Sequence, residues 1–515
     1  MRNFEKFLHP LWRQTCNASI KGRNIHTLTK PTLSMHDENE MPTETSPNPD
    51  ENAAKKRIRQ LPHVTLPDLP AVHQILMGNI PCVGCGATLQ TTDPNKEGFI
   101  EQSRIEKVVS QQTIVDKVKQ SLENKESCLD QKDLDIYEKA QKNRLIICKR
   151  CYQLKHYGRT TSMDVSAENF ATHIQRLKDK KVLVVQIVDL FDLQNSFIPQ
   201  LNEWIGTNPV FLVGNKVDLI PLGASMTRLE AYVRRQARLA GLYIVDCILT
   251  SAKGIAIKDF AEKLEILREQ RDVYVVGTAN VGKSSFINQF LAEVVRTEPG
   301  EKPQKRLTES ALPGTTLKPI SFRIGSGRHK SSSFLFDTPG VLNPHLPTNY
   351  LDPSEWNKIY PTRRIHPVFI RMEPGRTIFL GGLARIDFVS NEVKEVWRRV
   401  MVSIFISRNL PIHTTSIEKA DGVYEKHLGK LIYPPQPGNV DLTPMICKGE
   451  YKFESKTRKR SVADICISGM GWISITGVGE MTFKVFCPEK LKVFIRDPMM
   501  PFETYHLEKN AYRDA

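Results

Sequence analysis

Short apolar runs, each closed by polar or glycine-rich residues, recur through the middle of the chain. Residues 273–276, Val-Tyr-Val-Val, have the pattern of a buried strand, and the FINQFL stretch at 286–291 continues as a helix after an intervening loop. Residues 209–214 form a second buried-strand run that ends in Asn215. An apolar run at 242–249 precedes Ser251, and Phe334-Leu335-Phe336 leads into Asp337. Strands of this kind joined through helices predict an α/β domain, a mostly parallel sheet with helices on both faces. Beyond about residue 350 the pattern changes to short β-like runs at 376–380, 471–475 and 483–486. They are punctuated by Gly381, Gly382, Gly469, Gly471, Gly477 and Gly479. This part reads as a small α+β domain. No apolar run reaches the roughly 18 residues a transmembrane helix needs.

The two ends of the first seventy residues differ from each other. Over 1–35 the bases Arg2, Lys6, Arg13, Lys21, Arg23 and Lys30 alternate with Phe4, Phe7, Leu8, Leu11 and Trp12 at helical spacing, and Glu5 is the sole acid. This composition, without a signal-peptide core, predicts an organellar transit peptide, with a mitochondrial address fitting better than a chloroplast one. Residues 36–66 follow as a linker, rich in acids and proline at their start and too polar to bury a core. The whole chain of 515 residues carries a net charge of +15, which favours an anionic partner such as nucleic acid. A transit segment and solvated faces account for part of that charge.

The loop after 273–276 matches a phosphate-binding loop in full. Gly277, then four residues, then Gly282-Lys283-Ser284 stand between a strand and a helix. Backbone N–H groups of such a loop, Asn280, Val281, Gly282 and Ser285 included, face phosphate oxygens at a helix N-terminus. Lys283 is expected on the β- and γ-phosphates and Ser284 on magnesium. The run at 209–214 ends in Asn215-Lys216-Val217-Asp218. The Asp218 carboxylate can accept from the guanine N1–H and 2-amino group, which adenine lacks, with the Lys216 stem over the base. Ser251-Ala252-Lys253 would supply a backbone contact to the guanine oxygen. Asp337-Thr338-Pro339-Gly340 follows, with Asp337 in the magnesium shell and the Gly340 N–H sensing the γ-phosphate. Thr316, in the Pro313-Gly314-Thr315-Thr316 stretch, would complete that shell. Catalysis is assigned to Lys283, Thr316 and Asn280. Val341, after the switch glycine, cannot orient water as glutamine does in Ras-like enzymes. Slow intrinsic turnover is therefore expected unless another group or ion substitutes. Asn280 can offer an oxygen to a monovalent cation near the phosphates, or it can be a loop-forming residue.

The order of these motifs departs from a conventional GTPase, since the guanine motif precedes the phosphate loop. A circular permutation is tolerable because the termini of compact domains lie close together on the surface. It makes the 337–340 switch lead straight into the C-terminal region.

Ahead of this domain stand two C-x-x-C pairs, Cys82/Cys85 and Cys148/Cys151, the ligand set of a four-thiolate zinc site. Residues 86–147 separate the pairs, and the polar Lys/Glu-rich stretch 101–125 within them looks helical. A redox site is the rival, but it would need one pair alone. Cys16, Cys128, Cys247, Cys447, Cys466 and Cys487 read as ordinary core or surface residues. In the C-terminal part bases gather at Arg363-Arg364, at Arg398-Arg399 and from Lys456 to Arg460, suiting RNA or forming solvated loops.

The permuted motifs, the preceding cysteine pairs and the sequence CYQLKHYGR at 151–159 together resemble the YqeH-type circularly permuted GTPases, over residues 80–500. The resemblance implies a treble-clef-like zinc module (67–165), a permuted GTPase domain (166–348) and a C-terminal RNA- or ribosome-binding domain (349–515). It also implies assembly of the small ribosomal subunit and its rRNA. Potassium held by Asn280 is implied too, because family members with a hydrophobic residue where Val341 stands use that asparagine. With the transit segment, this becomes a mitochondrial matrix GTPase supporting mitochondrial translation, with GTP as substrate, Mg²⁺, structural Zn²⁺ and K⁺. It leaves room for peripheral association with the inner membrane. The alternative is a zinc-containing RNA-binding protein that holds GTP as a structural ligand. No haem, flavin or nicotinamide signature is present.

Overall fold

The computed structural model describes residues 82, 85–94, 96–101, 148–157, 174–198, 200–297, 307, 316, 319–324, 333–394, 398–439 and 441–502. The transit segment expected over 1–35 and the linker expected over 36–66 lie outside them. So do the stretch expected to be helical from 102 to 125, residues 313–315, Cys16 and Cys128.

The first described part joins a tight turn at Cys82 and Cys85 to helix α1 (Lys149–Tyr157). Gly86, at φ 76°, lets the turn close, with its N–H donated to the Cys82 carbonyl at 2.8 Å. The Lys149 N–H donates to Phe99 O at 2.7 Å, which ties the start of α1 to the preceding chain.

Six strands then form one sheet. They are β1 (Val182–Asp189), β2 (Val210–Asn215), β3 (Ile244–Leu249), β4 (Asp272–Val276), β5 (Ile320–Ile324) and β6 (Ser333–Asp337), in the order β3-β2-β1-β4-β6-β5. Every neighbouring pair is parallel except β5 with β6. Strands β1 and β2 are buried at every residue, as continuous apolar runs require when both faces are covered. The helices are α2 (Leu193–Ser196), α3 (Leu201–Ile205), α4 (Met226–Leu239), α5 (Ile257–Arg268) and α6 (Lys283–Thr297). Side chains of a strand alternate faces, so Val184 and Val188 of β1 meet Leu229 and Val233 of α4. Leu183, Val185 and Ile187 meet Phe260 of α5 and Phe286 of α6 on the other side. There Phe260 stacks on Phe211 at 5.4 Å and meets Phe286 edge-on at 4.7 Å.

After a short helix α7 (Trp356–Ile359), ten strands build two antiparallel five-stranded sheets. The strands are β7 (Val368–Met372), β8 (Arg376–Leu380), β9 (Ala384–Glu392), β10 (Val400–Phe405), β11 (Ile412–Ser416), β12 (Met445–Ser455), β13 (Ala463–Ile467), β14 (Gly471–Thr476), β15 (Gly479–Pro488) and β16 (Val493–Arg496). One sheet runs β16-β13-β14-β10-β7 and the other β11-β8-β9-β15-β12. Ile386, Phe388 and Phe483 of the second face Ile404, Ile465 and Ile473 of the first, making a sandwich core. Helix α8 (Ile417–His427) flanks the second sheet through Ala420, beside Phe379 and Ile432. The helical content expected in this region is thus small beside its β content, because the glycine-punctuated runs are strand-length.

The sandwich and the parallel sheet share apolar core. Phe405, Cys466, Trp472, Met499 and Met500 belong to the same buried cluster as Val184, Phe191 and Tyr232. Trp472 stacks on Phe405 at 4.8 Å and lies 6.4 Å from Phe191. Polar ties flank this seam. Tyr232 Oη donates to Asp497 O at 2.9 Å, Arg496 to Gln194 Oε1 at 2.6 Å, and the Gly469 N–H to Asp192 at 3.0 Å.

Candidate nucleotide site

Four loops leave the carboxyl ends of β2, β3, β4 and β6 and so open along one edge of the sheet. They are residues 215–218, 251–253, 277–284 and 337–340. The chain meets the 215–218 loop first, yet β4, which carries the 277–284 loop, sits centrally between β1 and β6. Parallel strands place the loops side by side whatever the order of connection.

Asn215 stitches three of these loops together. Its Nδ2 donates to Val281 O at 2.8 Å and its Oδ1 accepts from the Ala252 N–H at 3.2 Å. The fit explains Gly282, at φ 89°, where a Cβ would stand 2.6 Å from Asn215 Nδ2. Lys216 Nζ donates to Asn280 O at 3.0 Å and pairs with Asp189 Oδ2 at 2.5 Å. Burial disfavours the Lys216 charge, but Asp189 more than offsets this, and the pKa is raised. Asp218 accepts from Ser251 Oγ at 2.5 Å and pairs with Lys253 Nζ at 2.6 Å. Burial would raise its pKa, but these two partners hold it below the ordinary carboxylate value.

Lys283 is buried and donates to the carbonyls of Gly277 and Thr278 at 3.1 and 3.0 Å. Burial lowers its pKa to about 8, with Asp337 opposing. An ammonium held by two backbone carbonyls in a desolvated loop is suited to meet an anion. Asp337 is fully buried, and burial raises its pKa to about 6 against the pull of Lys283. Thr316 Oγ1 donates to its Oδ2 at 3.0 Å, and the Ser284 hydroxyl also bonds this carboxyl. Its Oδ1 has no hydrogen-bond partner among the described residues. Two hydroxyls and a carboxyl with a spare buried oxygen fit a hard divalent cation such as Mg²⁺. Thus Ser284, Thr316 and Asp337, far apart in sequence, meet. Ser285 is half-buried in the first turn of α6.

Gly340 lies against this group. A Cβ there would stand 2.8 Å from Lys283 Nζ and 3.0 Å from Ala279 Cα, so a larger residue would displace the Lys283 ammonium and crowd the phosphate loop. Val341 is tied to the phosphate loop through its backbone, donating to Gly277 O at 3.1 Å and accepting from the Ala279 N–H at 2.8 Å. Asn280 adopts φ 66°, and its Nδ2 donates to Tyr360 Oη at 3.3 Å.

Asp189 and Tyr360 take part in this network without any sequence motif. The 182–189 run could have pointed to Asp189 as a strand-end acid. Tyr360 lacks any such local signal, since its contact with the loop spans 80 residues. Of the basic groups, Arg399 and the 456–460 loop meet, through Arg458 donating to Arg399 O at 3.2 Å. Arg364 lies elsewhere, on Ile220 O at 3.1 Å.

The four cysteines of the two C-x-x-C pairs come together. Their sulfurs lie within 4.8 Å of one another and all four are buried. The hydrogen bonds converging on Cys82, from Cys148 first, hold its thiol far below the ordinary range. Four buried cysteine sulfurs this close together fit a tetrahedral zinc ion. Cys247, Cys466 and Cys487 are buried singly and Cys447 is exposed.

Comparison with known proteins agrees with this geometry. Residues 272–363 match the family described as 50S ribosome-binding GTPase. Residues 399–499 match the YqeH-like C-terminal family, and residues 81–165 the N-terminal domain of genetic interactor of prohibitins 3. Uncharacterized protein YqeH of Bacillus subtilis is 32% identical over 421 residues, covering 82% of this chain and 99% of its own. NO-associated protein 1, chloroplastic/mitochondrial, of Arabidopsis thaliana is 29% identical, covering 84% of this chain and 78% of its own. Nitric oxide-associated protein 1 of Homo sapiens is 24% identical, with coverage of 87% and 78%. With that bacterial relative matched along almost its whole length, the chain belongs to the YqeH family of P-loop GTPases.

Proposed function

We propose that this chain binds and hydrolyses GTP as an assembly factor for the small ribosomal subunit of mitochondria, and so supports mitochondrial translation. The observation that carries the reading is the convergence of the phosphate loop, the guanine motif and the Ser284–Thr316–Asp337 oxygens on one sheet edge. The chain runs on from Gly340 into the sandwich, so a γ-phosphate sensed at Gly340 has a covalent route to the C-terminal region.

In this reading Lys283 turns from the loop carbonyls to the β- and γ-phosphates, and Asp218 exchanges Lys253 for the guanine N1–H and 2-amino group. Ser284, Thr316 and Asp337 hold magnesium, which neutralises charge on the phosphates. Val341 has no group to orient water, so turnover is slow. A potassium ion held by Asn280, together with ribosomal RNA, raises it. The cysteine cluster holds structural zinc. The bases of Arg363-Arg364, Arg398-Arg399 and 456–460 meet RNA backbone within a region taken as 349–515, after a zinc module at 67–165 and a GTPase domain at 166–348. The basic N-terminal residues 1–35 address the chain to the matrix, in keeping with the organellar names of the plant relative. Val341, apolar where Ras-like enzymes carry a water-orienting glutamine, favours one second reading, a chain that holds GTP as a structural ligand and hardly hydrolyses it.

The test is sedimentation of the full chain with isolated mitochondrial ribosomal subunits, in a non-hydrolysable GTP analogue or in GDP. Co-migration with the small subunit in the analogue, lost in GDP, is the expected result. Migration with the large subunit alone, the particle named for the matched GTPase family, or with neither subunit, would overturn the proposal.

A further inference from the structure

Residues 360–365 lie against three nucleotide loops at once. Tyr360 Oη accepts from Asn280 Nδ2 of the phosphate loop at 3.3 Å. The Thr362 carbonyl accepts from Lys253 Nζ at 3.3 Å. Arg364 donates to Ile220 O at 3.1 Å, and the Ile365 N–H donates to Leu219 O at 2.9 Å, both just beyond Asp218. The two ends of the segment are rooted in different cores. Trp356 and Ile359 of α7, immediately before it, are buried in the sandwich core, and Tyr360 packs against that core. Ile365 is buried in the core under the parallel sheet. A second hydroxyl, Thr348 Oγ1, holds Tyr360 Oη at 3.2 Å. Beside this junction runs a cleft lined by Asp189, Asn195, Asn280, Asn343 and Tyr360.

We infer that residues 360–365 form a strap that sets how fast guanine nucleotide leaves, with Tyr360 as the positioning residue for Asn280. The inference rests on the nucleotide-site reading. Asn280 stands at a left-handed φ, which asparagine tolerates better than most residues but which its neighbours still have to hold against other conformations. Two contacts enforce it here, Lys216 on its carbonyl and Tyr360 on its side chain. A loop fixed in this shape presents its N–H groups to phosphate without reordering. One freed at Asn280 must be reordered at each binding event, and it releases nucleotide faster. Because the strap begins in the sandwich core, a partner that moves the sandwich pulls directly on the phosphate loop. Nucleotide exchange would then be governed from the C-terminal region.

The experiment measures dissociation of N-methylanthraniloyl-GDP from the full chain by stopped-flow fluorescence, for wild type, Tyr360→Phe, Asn280→Ala and the double variant. Tyr360→Phe removes one oxygen and keeps the ring in its core. The expected result is dissociation about two- to tenfold faster, the worth of the neutral bond to Asn280, the bond to Thr348 lying outside the phosphate loop. The double variant is expected to release nucleotide more slowly than the two single effects added together would give, since both substitutions break the Tyr360–Asn280 bond and only Tyr360→Phe also breaks the bond to Thr348. Arg364→Ala, at the other end of the strap, is expected to speed release as well. A purely structural role for Tyr360 would lower the thermal midpoint without nucleotide and leave the dissociation rate unchanged, and that outcome overturns the strap. Additive effects of Tyr360→Phe and Asn280→Ala overturn it too. A wild-type chain that binds no labelled GDP would instead overturn the nucleotide-site reading itself.

Discussion

Replacing Trp472 with alanine cuts the seam between the sandwich and the parallel sheet. Its side chain is 1% exposed and stacks on Phe405, with the Arg496 guanidinium 5.3 Å from the ring centre. A tryptophan buries about 150–250 Å². At about 25 cal/mol per Å² this corresponds to roughly 4–6 kcal/mol of transfer free energy, part of which alanine retains. The indole N–H has no hydrogen-bond partner among the described residues, so its removal adds no broken bond to the cost. Large aromatic-to-alanine changes in cores cost about 3–5 kcal/mol, and the lost stacking places this one near 4 kcal/mol. That is a large share of the roughly 5–15 kcal/mol that stabilises a typical domain. The assay is guanidinium unfolding followed by far-UV circular dichroism and by release of labelled GDP. In the wild type the two curves coincide, because a buried cluster at the seam joins both parts. In Trp472→Ala they separate, and the stability lost is about 4 kcal/mol. A loss below about 1.5 kcal/mol, or wild-type curves that never coincide, would refute the shared-core reasoning.

Other substitutions probe separate parts of the account. Asp218→Ala removes the acceptor for two guanine donors, each worth about 1–3 kcal/mol when left unpaired. GTP affinity measured by equilibrium titration should fall about 100-fold or more, and an unchanged value would remove Asp218 from base recognition. Metal analysis of the purified chain should find zinc bound by the cysteine cluster and lost in Cys148→Ser, and zinc retained in that variant would point to other ligands. Burial lifts the Asp192 pKa to about 7, well above the ordinary carboxylate value of 3.8, so the folded state holds the proton over that interval. Stability from this group is therefore present at low pH and lost as pH rises from about 4 to about 7, by at most about 4 kcal/mol. Asp192→Asn should flatten that part of the stability curve, and an equally steep variant would show that other groups carry the slope.

The loops that hold chemistry were legible in the sequence because each follows a buried-strand run. The shape of Gly277 to Ser284 depends on residues within a few positions of it, and so does that of residues 215–218. The cysteine pairs were legible for the same local reason, although the chain between them gave no sign of how they would meet. The seam was not legible. Strands β13 and β14 are buried at every position, a pattern that does not separate a domain core from an interface. Their odd-numbered residues, Ile465, Ile467, Ile473 and Ile475, face the other sheet. Cys466 and Trp472 face the parallel-sheet core. Tyr360 was invisible because its partner Asn280 is reached only through the tertiary fold, and a tyrosine after a short helix carries no pattern of its own.

Single-turnover GTP hydrolysis in potassium and in sodium, with and without mitochondrial small subunits, tests the central claim most directly when run alongside Asn280→Ala. The account predicts slow cleavage in sodium, acceleration by potassium and by subunits, and loss of the potassium effect in the variant. GTP that binds but is cleaved no faster under any of these conditions would contradict it and favour the structural-ligand reading.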